Sequence, residues 1–332
     1  MVFYGTKDEG DNAQLHVLDL TTLHSRALTA ETDRIRGEIV SSASRRAYYQ
    51  AGSTVYSVDV DTGEHKVVVE LPADLAGSIR TVNADASLLL GVHAEGIQEL
   101  YKKHPTKSQY FNVIYEAHLS NKQFTIDLHT GEIKVIHEEA AWLNHQQFSP
   151  TNPDLLSYCH EGPWHKVQRI WTLNVKTGET KPIHERTVDR EIAGHEFWSR
   201  DGSTIWFDLQ IPRGETFYLA GYHLETGKET RYALERNEWS VHYNISPDQR
   251  LFCGDGGSAN SVASSPDGHW IYLFKPDGDR LRSTRLVNLA NHDYELEPNA
   301  HFTPDGRWIV FRSNMHGPSQ IYAVDLTSGE ND

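Results

Sequence analysis

A strand-and-turn unit recurs along this chain at intervals close to 50 residues. Each copy is a short strand of alternating apolar residues, then Asp or another polar residue, then most often Thr-Gly and a second strand. Successive turn glycines are 68, 47, 49, 51 and 51 residues apart, at Gly63, Gly131, Gly178, Gly227, Gly278 and Gly329. This period is close to the ~40–50 residues of one four-stranded propeller blade. The repeat therefore predicts an all-β fold built from blades.

A weaker copy of the unit at residues 17–22 brings the number to seven, so we predict a seven-bladed β-propeller. Turn signals of a second kind fall between the copies, such as Ser-Pro-Asp at residues 246–248 and Thr-Pro-Asp at residues 303–305. They mark the hairpin between an inner and a middle strand. The chain starts in what reads as the second strand of its first blade. Either a strand precedes this sequence, or the N-terminal blade is incomplete.

One propeller domain is expected over residues 1–332, a length that can bury a large core. The interval between Gly63 and Gly131 is longer than the others, and it contains a polar, irregular stretch around residues 95–115. That stretch does not alternate as a blade strand does. We therefore predict an insertion there, partly helical, over the face where propellers place their ligand-contacting loops.

Charge and composition exclude several classes of protein. The formal net charge of −15 argues against a nucleic-acid binder, which needs a basic face. The sequence shows no signal segment and no apolar run of transmembrane length, so we expect a cytoplasmic protein that binds no membrane. Cys159 and Cys253 lie in strand-like runs and predict buried thiols, compatible with a reducing compartment. An acidic ligand must then be attracted locally, by arginines, histidines or a bound cation.

Residues 160–171 contain ionisable and aromatic side chains where a structural strand would alternate apolar ones, and we interpret them as part of a site. Three histidines, His145, His195 and His242, each lie shortly before a hairpin signal, at the start of a predicted innermost strand. Innermost strands line the central channel of a propeller, so these side chains should converge at one mouth of it. A structural role for each histidine, bonded to a neighbouring turn, is the alternative.

The same part of the chain carries a family resemblance. The order of residues 160–164, 168–171 and 194–198, followed by His242 and by Gly-Asp-Gly at residues 254–256, resembles the oligogalacturonate lyases, polysaccharide lyase family 22. The resemblance runs from about residue 140 to the C-terminus and more weakly upstream. It implies a metal-dependent β-elimination on short uronic acid oligomers such as digalacturonate, with a 4,5-unsaturated uronate as the product.

The resemblance also implies roles for three residues: His195 as the base that abstracts the C5 proton, Arg169 as the catalytic arginine beside it, and His242 as a metal ligand. The chemistry agrees with these roles. Removing a proton next to a carboxylate adds charge to an anion, so the site must first neutralise that carboxylate. A divalent ion can do this as a Lewis acid, and an arginine fork can bind the developing charge. An unprotonated His195 can then accept the proton.

The remaining metal ligands depart from the family pattern. Where members have paired histidines before the last hairpin, this chain has Glu297 and Asn299, and His292 is a further candidate in a shifted register. The resemblance implies manganese; carboxylate and amide oxygens suit hard ions in general, so magnesium and calcium are the alternatives. A turn pair that flanks Pro298 is the other interpretation of Glu297 and Asn299. Asp255, between two glycines, is predicted to be a bulge or turn residue rather than a ligand.

The candidate substrate contacts are His145, His160 and Glu161, with a scaffold role left open for each. We expect an acidic oligosaccharide as the ligand, and a monomer or homodimer as the assembly. Lyase activity on glucuronate-containing oligosaccharides and a binding propeller without chemistry are the alternative functions. A hydrolase accessory propeller is also considered, but the sequence contains no Gly-x-Ser-x-Gly element.

Overall fold

Strands dominate the computed structural model, which describes residues 1–6 and 11–329. The predicted domain span of 1–332 also includes residues 7–10 and 330–332, which lie outside the described residues. In the first half the strands are β1 (Val2–Gly5), β2 (Gln14–Leu18), β3 (Ser25–Ala27), β4 (Ile35–Ser41), β5 (Arg46–Ala51), β6 (Thr54–Asp59), β7 (His65–Glu70), β8 (Ser78–Val82), β9 (Leu88–Ala94), β10 (Asn121–Asp127), β11 (Ile133–Glu139), β12 (Leu143–Phe148) and β13 (Leu155–His160).

The second half continues this order. Its strands are β14 (Ile170–Asn174), β15 (Thr180–Pro182), β16 (Ile192–Trp198), β17 (Thr204–Gln210), β18 (Phe217–His223), β19 (Glu229–Leu234), β20 (Tyr243–Ile245), β21 (Phe252–Gly254), β22 (Trp270–Asp277), β23 (Arg280–Asn288), β24 (His301–Phe302), β25 (Trp308–Ser313) and β26 (Gln320–Asp325). Short 3₁₀ turns lie at Ala73–Leu75, Arg236–Glu238 and Leu326–Gly329.

The strands form sheets in chain order. β1–β3 and β24–β26 are three-stranded, and β4–β7, β8–β11 and β12–β15 are four-stranded. β16–β23 form one eight-stranded sheet, in which two four-stranded meanders are joined by a parallel bridge between Ala233 and Arg280. The fold is therefore all-β and propeller-like, as the repeat predicts. Residues 1–6 and 11–329 form six sheets, one of them with eight strands, so the predicted number of seven blades is not shown.

The Thr-Gly repeat is a hydrogen-bonded turn at the end of a strand. Asp59 accepts hydrogen bonds from the backbone N–H groups of Thr62 and Asp61, at 2.8 and 2.9 Å, and these bonds lower the pKa of its carboxyl. Gly63 closes the turn at a φ of 76°, a conformation that side chains rarely adopt. Asp127 accepts the same two bonds in the third sheet. The sequence repeat therefore reflects one recurring local turn.

The first strand of several sheets contains a bulge that redirects one side chain. In β4, β12 and β16 the pairing register shifts around Gly37, His145 and His195. These residues have φ values of 81°, 51° and 47°, in the left-handed region, and Asn299 just before β24 has 53°. Each of the four lies four positions before the serine or threonine of a hairpin turn. The fold thus presents an equivalent side-chain position in several sheets.

Two helices occupy the long interval between β9 and β10, at α1 (Ile97–Lys103) and α2 (Lys107–Ala117). A capping box begins α2: the side chain of Thr106 accepts from the backbone of Gln109, whose side chain accepts from the backbone of Thr106. Tyr101 of α1 packs edge-to-face on Tyr110 of α2, with ring centroids 4.9 Å apart. Among the described residues, no helix combines the length and the apolar character that a membrane crossing needs.

The chain divides into two compact units, each with its own buried apolar clusters. The first is Met1–Pro163 with Trp171–Lys181, and the second is Trp164–Ile170 with Pro182–Asp332. Phe124 is among the largest fully buried side chains of the first unit, and Trp239 and Phe274 are among those of the second. All three belong to clusters that bury one face of a sheet, which is the main stabilising contribution in such folds.

A buried ionic cluster lies in the second unit. Nε2 of His184 is 2.6 Å from Glu191 Oε1, and its Nδ1 is 2.9 Å from Glu229 Oε2. Burial alone lowers the pKa of His184, but the hydrogen bonds to Glu229 and Glu191 outweigh it, and the pKa lies above its usual value. The pKa values of both carboxyls are lowered, although burial opposes this, because Glu191 accepts hydrogen bonds from the Thr187 backbone and the ring, and Glu229 accepts them from the ring and Arg231. The cluster is thus most stable with its histidine charged.

Candidate active site

His195 and Asp208 form a hydrogen-bonded pair on neighbouring strands of the second unit. β16 carries His195 in its bulge, and β17 carries Asp208 opposite Gly194. Asp208 Oδ1 lies 2.7 Å from His195 Nδ1, and the side chains are 1 % and 15 % exposed. A buried carboxylate at Nδ1 favours the tautomer that leaves a lone pair on Nε2. His195 is therefore arranged to accept a proton at Nε2.

Arg169 lies buried beside this pair. Its Nε is 3.8 Å from Oε2 of Glu196, and both side chains are almost fully enclosed. A Cβ atom on Gly194 would come within 3.4 Å of Arg169 Nε and 3.5 Å of Asp208 Oδ1. Arg169 and Asp208 therefore both lie close to the backbone of Gly194, the residue before the histidine. Arg169 thus lies beside both chain neighbours of His195, Gly194 and Glu196, and its predicted catalytic role stays a prediction.

His242 is held by Asp255. Oδ2 of Asp255 is 2.8 Å from His242 Nδ1, and Oδ1 accepts the His242 backbone N–H at 2.8 Å. Burial alone lowers the pKa of His242, but the charge and hydrogen bond of Asp255 raise it above its usual value. The ring centroids of His242 and His195 are 5.1 Å apart. Asp255 was expected to serve only as a turn or bulge residue, and the structure adds the orientation of His242 to that role.

Glu297 and Asn299 lie next to His242. Glu297 Oε2 is 3.8 Å from His242 Nε2, and the Asn299 backbone N–H donates to Asp255 Oδ2 at 3.0 Å. The side-chain NH₂ group of Asn299 donates to the Glu297 carbonyl oxygen at 3.1 Å. The side-chain oxygen of Asn299 is then available to coordinate a cation. An imidazole nitrogen, a carboxylate and an amide oxygen suit a hard divalent ion. The carboxylate behind His242 is typical of metal-binding histidines. These residues therefore fit a divalent cation.

The contacts of His292 differ from those predicted for a metal ligand. This buried side chain donates from Nε2 to the Leu296 carbonyl oxygen at 2.7 Å. Its Nδ1 lies 3.0 Å from the hydroxyl of Ser313 and accepts the backbone N–H of Asn314 at 3.3 Å. Both ring nitrogens are engaged, so the imidazole has no lone pair to offer an ion. We therefore correct the predicted ligand set by leaving His292 out of it.

Two tryptophans stand edge-on to His195. The ring of Trp164 is centred 6.2 Å from that of His195, and the ring of Trp239 is centred 6.5 Å from it. Trp239 is fully buried and belongs to a core cluster. Trp164 is only partly buried, so it can offer an aromatic face to a sugar ring beside the base.

The first unit contains a second group of possible ligand atoms. His145, Cys159 and Glu161 bring a ring nitrogen, a thiol sulfur and a carboxylate oxygen within 4.8 Å of one another. His145 Nε2 lies 3.6 Å from Glu161 Oε2, which also accepts the amide of Asn144 at 3.4 Å. A sulfur and an imidazole suit softer ions than manganese or calcium. The 3.6 Å contact makes His145 and Glu161, both predicted substrate contacts, direct neighbours, and Cys159 beside them is buried.

His160 has contacts on two sides within the first unit. Its ring stacks on Trp171, with centroids 5.0 Å apart, and its Nε2 lies beside Oε1 of Glu139. Burial alone raises the pKa of Glu139, but hydrogen bonds with His137 and His160 lower it to about 2. The structure thus places His160 in a stacked, paired environment, and its predicted contact with substrate stays a prediction.

Asp208 is the site residue that the sequence patterns miss. It lies inside β17, Thr204–Gln210, whose other residues are mostly apolar, and the strand reads as core. A charged side chain within a buried strand needs a partner. The histidine one strand away is such a partner, so a lone acid in an apolar run next to a candidate base is a usable signal.

Comparison with known proteins identifies the family of this chain. A sequence model of a family described as oligogalacturonate lyase matches residues 1–329. An oligogalacturonide lyase of Pectobacterium atrosepticum is 25 % identical over 331 residues, covering 94 % of this chain and 82 % of the relative. An oligogalacturonate lyase of Dickeya dadantii is 26 % identical over 331 residues, with the same two coverages of 94 % and 82 %.

Solved structures show the same fold. An oligogalacturonate lyase in complex with manganese superposes with a TM-score of 0.84 at 24 % identity, covering 98 % of this chain and 85 % of that one. An oligogalacturonate lyase from Vibrio parahaemolyticus gives a TM-score of 0.83 at 23 % identity, covering 98 % and 86 %. Because the family match spans nearly the whole sequence, this chain belongs to the oligogalacturonate lyase family, a family of polysaccharide lyases.

Proposed function

We propose that this protein cleaves short oligogalacturonates, such as digalacturonate, by metal-dependent β-elimination. The observation that carries the proposal is the His195–Asp208 pair with Arg169 and His242 beside it. The names of the relatives support the substrate class, and an acidic oligosaccharide is the ligand that this local cluster of nitrogen bases suits.

The fold that carries this activity is proposed to be one seven-bladed propeller domain. The eight-stranded sheet counts as two blades, because a single parallel bridge joins two complete meanders. The helical segment of residues 97–117 is then the insertion expected around residues 95–115. The family match over residues 1–329 supports a single domain.

In the proposed reaction, His195 Nε2 takes the proton from C5 of the uronate. The C5–H electron pair forms the C4–C5 double bond, and the C4–O bond to the departing sugar breaks. The departing oxygen then takes a proton from solvent. Asp208 keeps the Nδ1 proton in place and stabilises the imidazolium as it forms, since its carboxylate is buried 2.7 Å away.

The C5 proton is acidic enough only when the adjacent carboxylate is neutralised. Arg169 is proposed to bind that carboxylate through its guanidinium, which Glu196 holds beside Gly194. His242, Glu297 and Asn299 would hold a divalent cation, which supplies Lewis acidity toward the same carboxylate. Manganese is the proposed ion, because the donors are hard and because one structural relative is a manganese complex. His145, His160 and Glu161 are proposed to contact the substrate.

Absorbance of the unsaturated uronate tests the proposal. Purified protein is incubated with digalacturonate and, separately, with a glucuronate-containing disaccharide, before and after chelation and re-addition of Mn²⁺, Mg²⁺ or Ca²⁺. We expect an absorbance increase with digalacturonate that chelation abolishes and Mn²⁺ restores. His195→Ala should be inactive, whereas His129→Ala, an exposed turn residue, should be fully active.

Three outcomes contradict parts of the proposal. No absorbance change with any uronate oligomer would contradict lyase activity and favour the alternative function, a binding propeller without chemistry. A change only with the glucuronate-containing substrate would correct the substrate. Activity that survives chelation would remove the cation from the mechanism.

A further inference from the structure

A cavity of about 520 Å³ lies within the first unit, and none of the residues proposed to react lines it. It is bordered by β4, β8, β9, the start of β12 and helix α1. Its volume falls within the roughly 300–1,000 Å³ of small-ligand sites in proteins. Helix α1 belongs to the segment that interrupts the blade repeat, so this cavity is lined jointly by strands of the repeat and by the insertion.

Two arginines face this cavity, Arg36 from β4 and Arg80 from the bulge of β8. Arg80 is accessible from the cavity, yet surrounding protein lowers its pKa, and the like charge of Arg36 lowers it further. Arg36 donates to the hydroxyl of Ser78 at 3.4 Å. Two neighbouring guanidinium groups repel each other, and bringing them together is unfavourable unless an anion lies between them.

The described side chains contain no carboxylate paired with either arginine. Glu99 borders the cavity but forms its ion pair with Lys102, at 2.8 Å. In a chain with a net charge of −15, two arginines without an acidic partner among the described residues are unusual. The geometry of a guanidinium suits a carboxylate, which it binds through two parallel hydrogen bonds.

The rest of the cavity wall suits a sugar. Tyr101 and Trp142 supply partly buried aromatic faces, and Asn144 supplies an amide that can bond to hydroxyl groups. Aromatic faces, a few polar groups and paired cations together describe a ligand that is both a carbohydrate and an anion. Inorganic phosphate would use the arginines but not the aromatic rings.

We propose that this cavity is a second recognition site for a uronate unit, whose carboxylate is bound by Arg80 and Arg36. The identity of the ligand rests on the proposed function, whereas the cationic site itself does not. The site would add affinity for acidic oligosaccharides without taking part in proton transfer.

Binding without turnover tests the proposal. Saturated digalacturonate is titrated calorimetrically into His195→Ala protein, alone and combined with Arg80→Gln. The matched control is Arg45→Gln, which removes the same charge from a surface pair with Asp61. The His195→Ala protein should bind two equivalents of digalacturonate; loss of one charged hydrogen-bonding group should weaken one of them by about tenfold or more, and the control should bind both as before. Neutral digalactose should be insensitive to Arg80→Gln.

Kinetics separate this site from the reaction. With otherwise native protein, Arg80→Gln should leave both kcat and KM for digalacturonate near their native values, because the molecule bound in this cavity is not the one that reacts. If Arg80→Gln does not fold, as judged by circular dichroism, Arg36→Gln replaces it in both experiments.

Each result decides one proposal. Unchanged digalacturonate binding in folded Arg80→Gln and Arg36→Gln overturns the second site, even if the protein is an active lyase. Binding that depends on Arg80 in a protein without lyase activity overturns the proposed function and keeps the site. Equal binding of inorganic phosphate and digalacturonate, both lost in Arg80→Gln, overturns the sugar specificity.

Discussion

Asp208→Asn removes a buried charge from behind the proposed base and keeps the size of the side chain. The native carboxylate lies 2.7 Å from His195 Nδ1. Asparagine can present either its oxygen or its NH₂ group to the ring. The NH₂ orientation favours the tautomer with its proton on Nε2, which cannot accept another proton. We therefore expect a folded variant that binds substrate and turns it over slowly.

The expected loss can be worked from the distance. When His195 takes a proton, the imidazolium and the Asp208 carboxylate are unit charges about 4 Å apart, and at an effective dielectric constant near 20 they attract by about 4 kcal/mol. Losing this attraction in the transition state lowers kcat by about 10³. The tautomer shift can bring the loss to about 10⁴. KM should remain near its native value, because the Asp208 side chain is only 1 % exposed and cannot touch substrate.

The assay is the initial rate of unsaturated uronate formation at saturating digalacturonate, with manganese added. Asp85→Asn, at an exposed turn acid, is the matched control and should keep the native kcat. Circular dichroism and thermal melting show whether Asp208→Asn is folded. A native kcat in folded Asp208→Asn protein refutes the assignment of His195 as a base oriented by Asp208. A loss of kcat that accompanies unfolding calls for the measurement to be repeated below the melting temperature.

Three further predictions concern the metal, the pH and the packing. His242→Ala should lose manganese after dialysis while His195→Ala retains it, and equal metal content by mass spectrometry would contradict the ligand assignment. The melting temperature should fall as pH rises above about 6.5, because the raised pKa of His184 stabilises the fold only while the ring is charged; His184→Gln should have a shallower slope, and the raised pKa of His242 should account for the rest. Gly221→Ala should lower the free energy of unfolding by about 1–3 kcal/mol in urea, since its Cβ would lie 2.6 Å from Trp206, and an unchanged midpoint would contradict this.

The blade repeat could be predicted because its cause is local. The Asp59 side chain accepts hydrogen bonds from residues two and three positions ahead, so four consecutive residues are enough to form the turn. The merging of two sheets could not be predicted, since it depends on a bridge between Ala233 and Arg280, which are distant in sequence. Local chemistry thus predicts the units, and tertiary contacts decide how their edges meet.

The site was predictable in part for the same reason. The motif order identifies Arg169, His195 and His242, which the structure places close together. Asp208 could not be predicted, because a sequence pattern shows the residues next to it along the strand and not its partner on the adjacent strand. His292 was assigned as a ligand from its spacing alone, while its ring is in fact engaged by a carbonyl oxygen at residue 296 and a hydroxyl at residue 313.

The backbone position four residues before the hairpin turn, with its positive φ, can be occupied by residues of different chemistry. In four places the backbone has the same conformation, and the sequence fills it with glycine, histidine, histidine and asparagine, at Gly37, His145, His195 and Asn299. Asparagine and histidine are among the residues that tolerate this conformation best. Exchanging them changes the chemistry offered to a ligand and leaves the strands as they are. A scaffold of this kind can acquire a new base or a new metal ligand through one substitution, and Asn299→His is the simplest such change in this chain.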